Sequence, residues 1–241
     1  MVDEDSKRTI DSALAEFERL RASIREDTRR NEPEKYYDVW EFNNQFGKLW
    51  LSMVLGGKVP RDSILVTGFT MMQSKAYTIH ELIVEGKYFT ALREMRHLLE
   101  FAKRAAELDY EMKGRSVADK ITEYEAREAA DMADFRGGGL LKALEGNLGL
   151  TGPEVSAIKT LFGRLSSYAH GSAAEVKPFT LGNSAKPGYV RDLFDLTHDH
   201  VAAVTDVYLL LLCKFGMIDR SVITIPSNLS SLLPLSYPYL K

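Results

Sequence analysis

Apolar residues recur every three or four positions along nearly the whole chain, the period of one face of an α-helix. In residues 6–30 the row is Ile10, Leu14, Phe17, Leu20 and Ile24 within a charge-rich segment, which predicts an amphipathic first helix. Asn31 followed by Glu34, with Pro33 between, has the form of a capping box opening a second helix to residue 55. That helix carries Tyr36, Tyr37, Val39, Trp40, Phe42, Phe46, Leu49, Trp50, Met53 and Val54, more apolar surface than one face holds. It should therefore be buried on several sides, both tryptophans packing in the core. A third helix is expected over residues 60–85, ending at Gly86, and a fourth over 88–112, half core and half solvent.

Residues 117–135, rich in Ala and Glu, predict a fifth helix ending at three glycines, with a short helix over 140–148 after it. Thr151 to Glu154, with Pro153 inside, is a second capping box and opens a helix to His170, where Gly171 can end it. Residues 172–187 read as loop, and a last long helix is expected over 188–215. Only residues 222–225 resemble a strand, and the nearly uncharged tail, 226–241, should lie against the body or a partner. The expected fold class is all-α: an antiparallel bundle of about seven helices. Its divisions are an N-terminal helical extension (1–59), the bundle (60–220) and the apolar tail (221–241). The absence of a Gly-rich phosphate loop after a strand argues against a nucleotide-binding α/β fold.

Composition narrows the function classes. The chain has 241 residues, 45% hydrophobic and 27% charged, which is ordinary globular composition. A single cysteine, Cys213, excludes an intramolecular disulfide and a cysteine-based zinc cluster; set in an apolar run, it should be an inert buried thiol. The longest apolar run, Val207 to Cys213, is short for a bilayer span, and the polar, acidic start is unlike a signal peptide. Both point to a cytoplasmic protein without a membrane partner. A net charge of −3 argues against non-specific coating of nucleic acid while leaving room for a local basic site.

The most unusual segment runs from Arg164 to Ser172, with Leu165, Ser166, Ser167, Tyr168, His170 and Gly171 between. Helical spacing sets Ser166 and Ser167 on rows beside His170, and the long Arg164 side chain can reach the same rim. A histidine titrating near neutrality beside an arginine suits acid-base work on a phosphodiester. Equally, a histidine ending a helix can cap carbonyls and be stabilised by the dipole. Arg96 and Glu100, with Arg93 one turn earlier, either form a surface pair or, turned inward, orient His170 or bind an anion. Glu94 with His97, and Asp195 with His198, have the spacing of di-iron carboxylate bundles, yet the further inward glutamates such a site needs are not evident, so no metal or cofactor is expected. His198 and His200 read as surface residues, His80 as structural.

Arg164 and His170, five residues apart near a helix end, resemble the arginine–histidine motif of the HEPN superfamily. The wider pattern, Leu92 to Glu100 on one helix and Ser166 to Gly171 on a later one, is similar to a group of uncharacterised HEPN-like prokaryotic proteins, over roughly residues 60–216. The resemblance implies a helical homodimer in which two arginine–histidine pairs meet and cleave RNA without metal, the ribose 2′-hydroxyl attacking the adjacent phosphate. Arg164 would stabilise the phosphate and His170 act as general acid or base, with Arg93, Arg96, Glu100, Ser166, Ser167 and Tyr168 supporting or binding substrate. A toxin or defence setting would add a protein partner or antitoxin. Leu165 departs from the polar residue that often follows the arginine in active members. The other class is a non-catalytic interaction or regulatory protein in which Arg164, Tyr168 and His170 fix a helix end.

Overall fold

The structure, a computed structural model, describes residues 3–55, 62–133, 150–169, 188–214 and 231–240. Among these residues the chain is all-helical with no strand. The helices are α1 (Glu4–Asn31), α2 (Pro33–Leu55), α3 (Ile64–Thr67), α4 (Phe69–Val84), α5 (Tyr88–Glu111), α6 (Val117–Ala133), α7 (Gly152–Ala169), α8 (Arg191–Lys214) and α9 (Tyr237–Leu240). Seven have 16 residues or more and two are single turns of four. The expected short helix at 140–148, the strand at 222–225 and the glycine stops at 137–139 and 171 lie outside the described residues.

Helix α5 is the axis of the core, packed by α4, α7 and α8, with α3 and α6 against it as well. Its Ala91, Ala102, Ala105 and Ala106 are buried among Leu92, Met95 and Leu99, and small side chains at these positions allow close helix approach. The contacts of Phe89 with Tyr168 and of Arg96 with Phe162 show that α5 and α7 run antiparallel. Helix α8 is covered on all sides from Val204 to Cys213. Its 24 residues are long and apolar enough to cross a membrane by length and composition, and 78% of its apolar 18-residue stretch is buried within the protein.

Polar groups fix the helix ends. Asp109, at the end of α5, accepts hydrogen bonds from the Ser63 hydroxyl at 2.7 Å and the backbone N–H of Ile64 at 2.9 Å and Leu65 at 3.1 Å. It also forms a buried ion pair with Lys120 at 2.9 Å. One carboxylate thus satisfies the open start of α3 and joins it to α5 and α6. Glu85, at the α4–α5 turn, accepts from Arg21, from Arg25 at 2.6 Å and from Lys87 at 2.8 Å. Burial alone would raise its pKa, but these three cations carry it down to about 2. At the α1–α2 junction Glu32 accepts from the Tyr189 hydroxyl at 2.6 Å and Arg191 Nε at 2.8 Å. Gly86 has φ +71, and a Cβ there would stand 2.5 Å from the Gly188 carbonyl oxygen, so the turn admits only glycine. The tail residues 231–240 lie on α8: Asp206 accepts the N–H groups of Leu235 and Ser236 at 2.8 and 2.7 Å, and Leu233 is buried.

Several expectations need correction. Asn31 does not cap α2. It is the last residue of α1, and its amide donates back to the Asp27 carbonyl at 2.7 Å, the local bond that competes with a capping role. The third helix is not continuous; it breaks at Gly68, where the Phe101 ring occupies the space of a Cβ. Helix α2 packs against α1, α4 and α8, but of the residues expected in the core Tyr37 and Trp40 are exposed, as is Leu51. The side chain of Trp50 lies outside the described set.

Candidate functional site

Helix α7 opens as a capping box, Glu154 accepting the Thr151 N–H at 2.6 Å. From there Val155, Ile158, Leu161 and Leu165 form a buried row three or four residues apart that fastens the helix to the core. Leu165, fully buried, is therefore a core anchor, and its neighbour Arg164 is turned into solvent by the 100° step of the helix. Ser167 is exposed and its hydroxyl donates to the Arg164 carbonyl at 2.7 Å, closing the last turn. Ser166 is half-buried, with a hydroxyl that meets no hydrogen-bond partner. His170 lies outside the described residues, one position beyond the end of α7.

Tyr168 is half-buried between two rings, Phe89 of α5 at 6.1 Å and His200 of α8 at 6.3 Å, the latter edge-on. The expectation that His198 and His200 lie at the surface is wrong: they are 3% and 5% exposed. Two residues apart, they point to opposite sides of α8, but both sides of this helix are covered. His200 Nδ1 sits 2.7 Å from the Leu196 carbonyl oxygen. A carbonyl only accepts, so Nδ1 carries the hydrogen, and the buried Nε2 has no hydrogen-bond partner. Burial lowers the His200 pKa, against the Leu196 carbonyl that favours the cation, and the positive charge of Arg164 lowers it further. His200 is thus a neutral imidazole close enough to Arg164 to feel its charge.

On the other flank of α7, Arg96 stacks over the Phe162 ring at 5.4 Å and pairs with Glu100 at 2.9 Å. Both charged groups are partly exposed, so the pair is neither a buried orienting pair nor a free surface one. Phe162 and Arg164 are about 160° apart around α7, so Arg96 and Arg164 stand on opposite shoulders of the α5–α7 seam. Arg93 is half-buried on the α5 row between Phe89 and Arg96. Arg93, Arg96 and Glu100 thus lie along the α5 side of the seam, and Tyr168 and Arg164 on the other shoulder of α7.

The residues with metal-like spacing have other partners. Glu94 pairs with Lys75, and Asp195 with Lys35 at 2.6 Å. His198 stacks on Phe194 and lies 3.7 Å from Asp38 and 3.6 Å from Asp199, beyond hydrogen-bond range. Among the described residues no group of three or more His, Cys, Asp or Glu is arranged to hold a metal ion. His80 is buried against Trp40 and Tyr36, and burial with the charge of Arg25 lowers its pKa to about 4. Cys213 is buried.

His200 is the residue at this site that spacing did not reveal. Its one signal is the apolar run from Val207 to Cys213, which marks α8 as a helix enclosed all round. A scan against protein-family models, a search of the curated proteins and a search of the solved structures each gave no match to this chain.

Proposed function

We propose that the chain is a metal-independent RNA endonuclease of HEPN type, acting in the cytoplasm as a homodimer, with the end of α7 as its catalytic edge. One observation supports this most: Arg164 stands free in solvent in the last turns of α7 while Leu165 locks that turn into the core, so a guanidinium is offered on a rigid support. Arg93 on the adjoining α5 would add positive charge along the seam, with Arg96 held by Glu100 on the far shoulder. In this reading Arg164 stabilises the charge that develops on the phosphate. One copy of His170 takes the proton from the ribose 2′-hydroxyl as its oxygen bonds to phosphorus, and the other donates a proton to the departing 5′-oxygen. The products are a 2′,3′-cyclic phosphate and a 5′-hydroxyl. Tyr168, held by Phe89 and His200, positions the helix end two residues before His170, and Ser167 lies beside the substrate path, whereas the Ser166 hydroxyl is buried on the other side of the helix. The expected result is cleavage of single-stranded RNA in excess chelator, lost in His170→Ala with the thermal midpoint unchanged.

A second reading, a non-catalytic interaction or regulatory protein that binds a protein partner, draws support from the apolar side chains exposed on α1 and α2 and from Leu165 in place of a polar residue. Under it, His170→Ala has no activity to remove, and Arg164→Ala changes neither RNA cleavage nor RNA affinity.

A further inference from the structure

Helix α1 presents an apolar row to solvent. Every residue from Asp3 to Leu20 is exposed, a length of about 27 Å, and only Ile24 and Thr28 of α1 are buried. Ile10, Ala13, Phe17, Leu20 and Ile24 follow one another at alternating three- and four-residue steps, the seam of a coiled coil. Ile10 is 51% exposed, Phe17 44% and Leu20 38%, with Leu14 beside them at 57%. The row that seats Ile24 on the body therefore continues outward without an apolar partner among the described residues, Phe17 meeting the cations of Lys87 at 5.6 Å and Arg21 at 5.9 Å. A helix of this length is marginal in water unless its apolar face is covered.

We infer that this arm pairs antiparallel with the arm of a second copy, about a two-fold axis near Ala15. In that register Ile10 lies opposite the partner's Leu20, and Ala13 opposite the partner's Phe17. Each layer then sets a large side chain against a complementary one, and the two copies of Leu14 flank the axis beside the seam. Parallel pairing would stack Phe17 on itself and leave a gap at Ala13. Charge selects the same orientation. Residues 4–18 hold five acidic and two basic side chains, residues 19–31 five basic and two acidic, so reversing one helix brings opposite halves together and aligning them brings like halves together. This pairing does not depend on the nuclease reading.

Sedimentation velocity on the full chain, with cysteine pairing, tests it. The wild type should sediment as a dimer, and Leu14→Glu with Phe17→Glu should weaken association by about tenfold or more. Ile10→Cys mixed with Leu20→Cys should form a disulfide-linked heterodimer, whereas Ile10→Cys alone should not link to itself; the buried Cys213 stays silent. A wild type monomeric at about 100 μM, a dimer indifferent to the two glutamates, or self-linkage of Ile10→Cys would overturn the proposal.

Discussion

The ring of Tyr168 meets the imidazole of His200 edge-on, with centroids 6.3 Å apart and planes at 89°. This contact joins the last turn of α7 to the middle of α8, two residues before His170. Because the tyrosine acts through its ring, Tyr168→Phe should keep the wild-type thermal midpoint. Tyr168→Ala should cost about 1–3 kcal/mol in chemical denaturation, less than a fully buried aromatic because the site is half open.

Acidification should weaken the fold through His80 before it affects the carboxylates. The folded pKa of His80 is about 4, below the 6.5 of a free imidazole, so the unfolded chain binds the extra proton between these values. Stability is then full above pH 6.5 and falls as pH drops towards 4, by up to about 3 kcal/mol from this residue. His80→Gln should flatten that part of the profile in urea titrations at pH 7, 6 and 5. The lowered pKa of His200 adds a slope of the same sign.

Glu85 behaves oppositely in position along the pH scale. Its folded pKa of about 2 lies below the usual 4.5, so its contribution is complete above pH 4.5 and is lost between 4.5 and 2. Glu85→Gln leaves Arg21, Arg25 and Lys87 facing a neutral group and should destabilise the protein by about 1–3 kcal/mol. Proteolysis should cut α1 faster in this variant than in the wild type.

Asp109→Asn should be among the most damaging single changes, costing about 3–5 kcal/mol, because it leaves the Lys120 ammonium buried without its counter-charge. Replacing Lys120 by Met in the same chain should restore part of the loss, measured as a non-additive pair in denaturant unfolding.

Most of the long helices are legible in the sequence, because their apolar period is strong and Thr151 to Glu154 forms its cap as the spacing suggests. Features whose deciding partner is distant in sequence are not legible there. Gly68 interrupts a continuous helical pattern because Phe101 approaches from another helix, and no local signal marks that approach. Asn31 satisfies a capping pattern but bonds backwards to Asp27. At the candidate site, the exposure of Arg164 and the burial of Leu165 follow from helical spacing alone. The burial of His200 follows only from the enclosure of α8, which is a tertiary fact.

The most direct test of the account measures cleavage of single-stranded RNA in excess chelator by the wild type and by Arg164→Ala, with the product ends and both thermal midpoints determined. The wild type should leave cyclic phosphate ends, the variant should lose cutting by about 10²-fold or more, and the midpoints should be equal. Equal cutting by both proteins, or none by either, would contradict it.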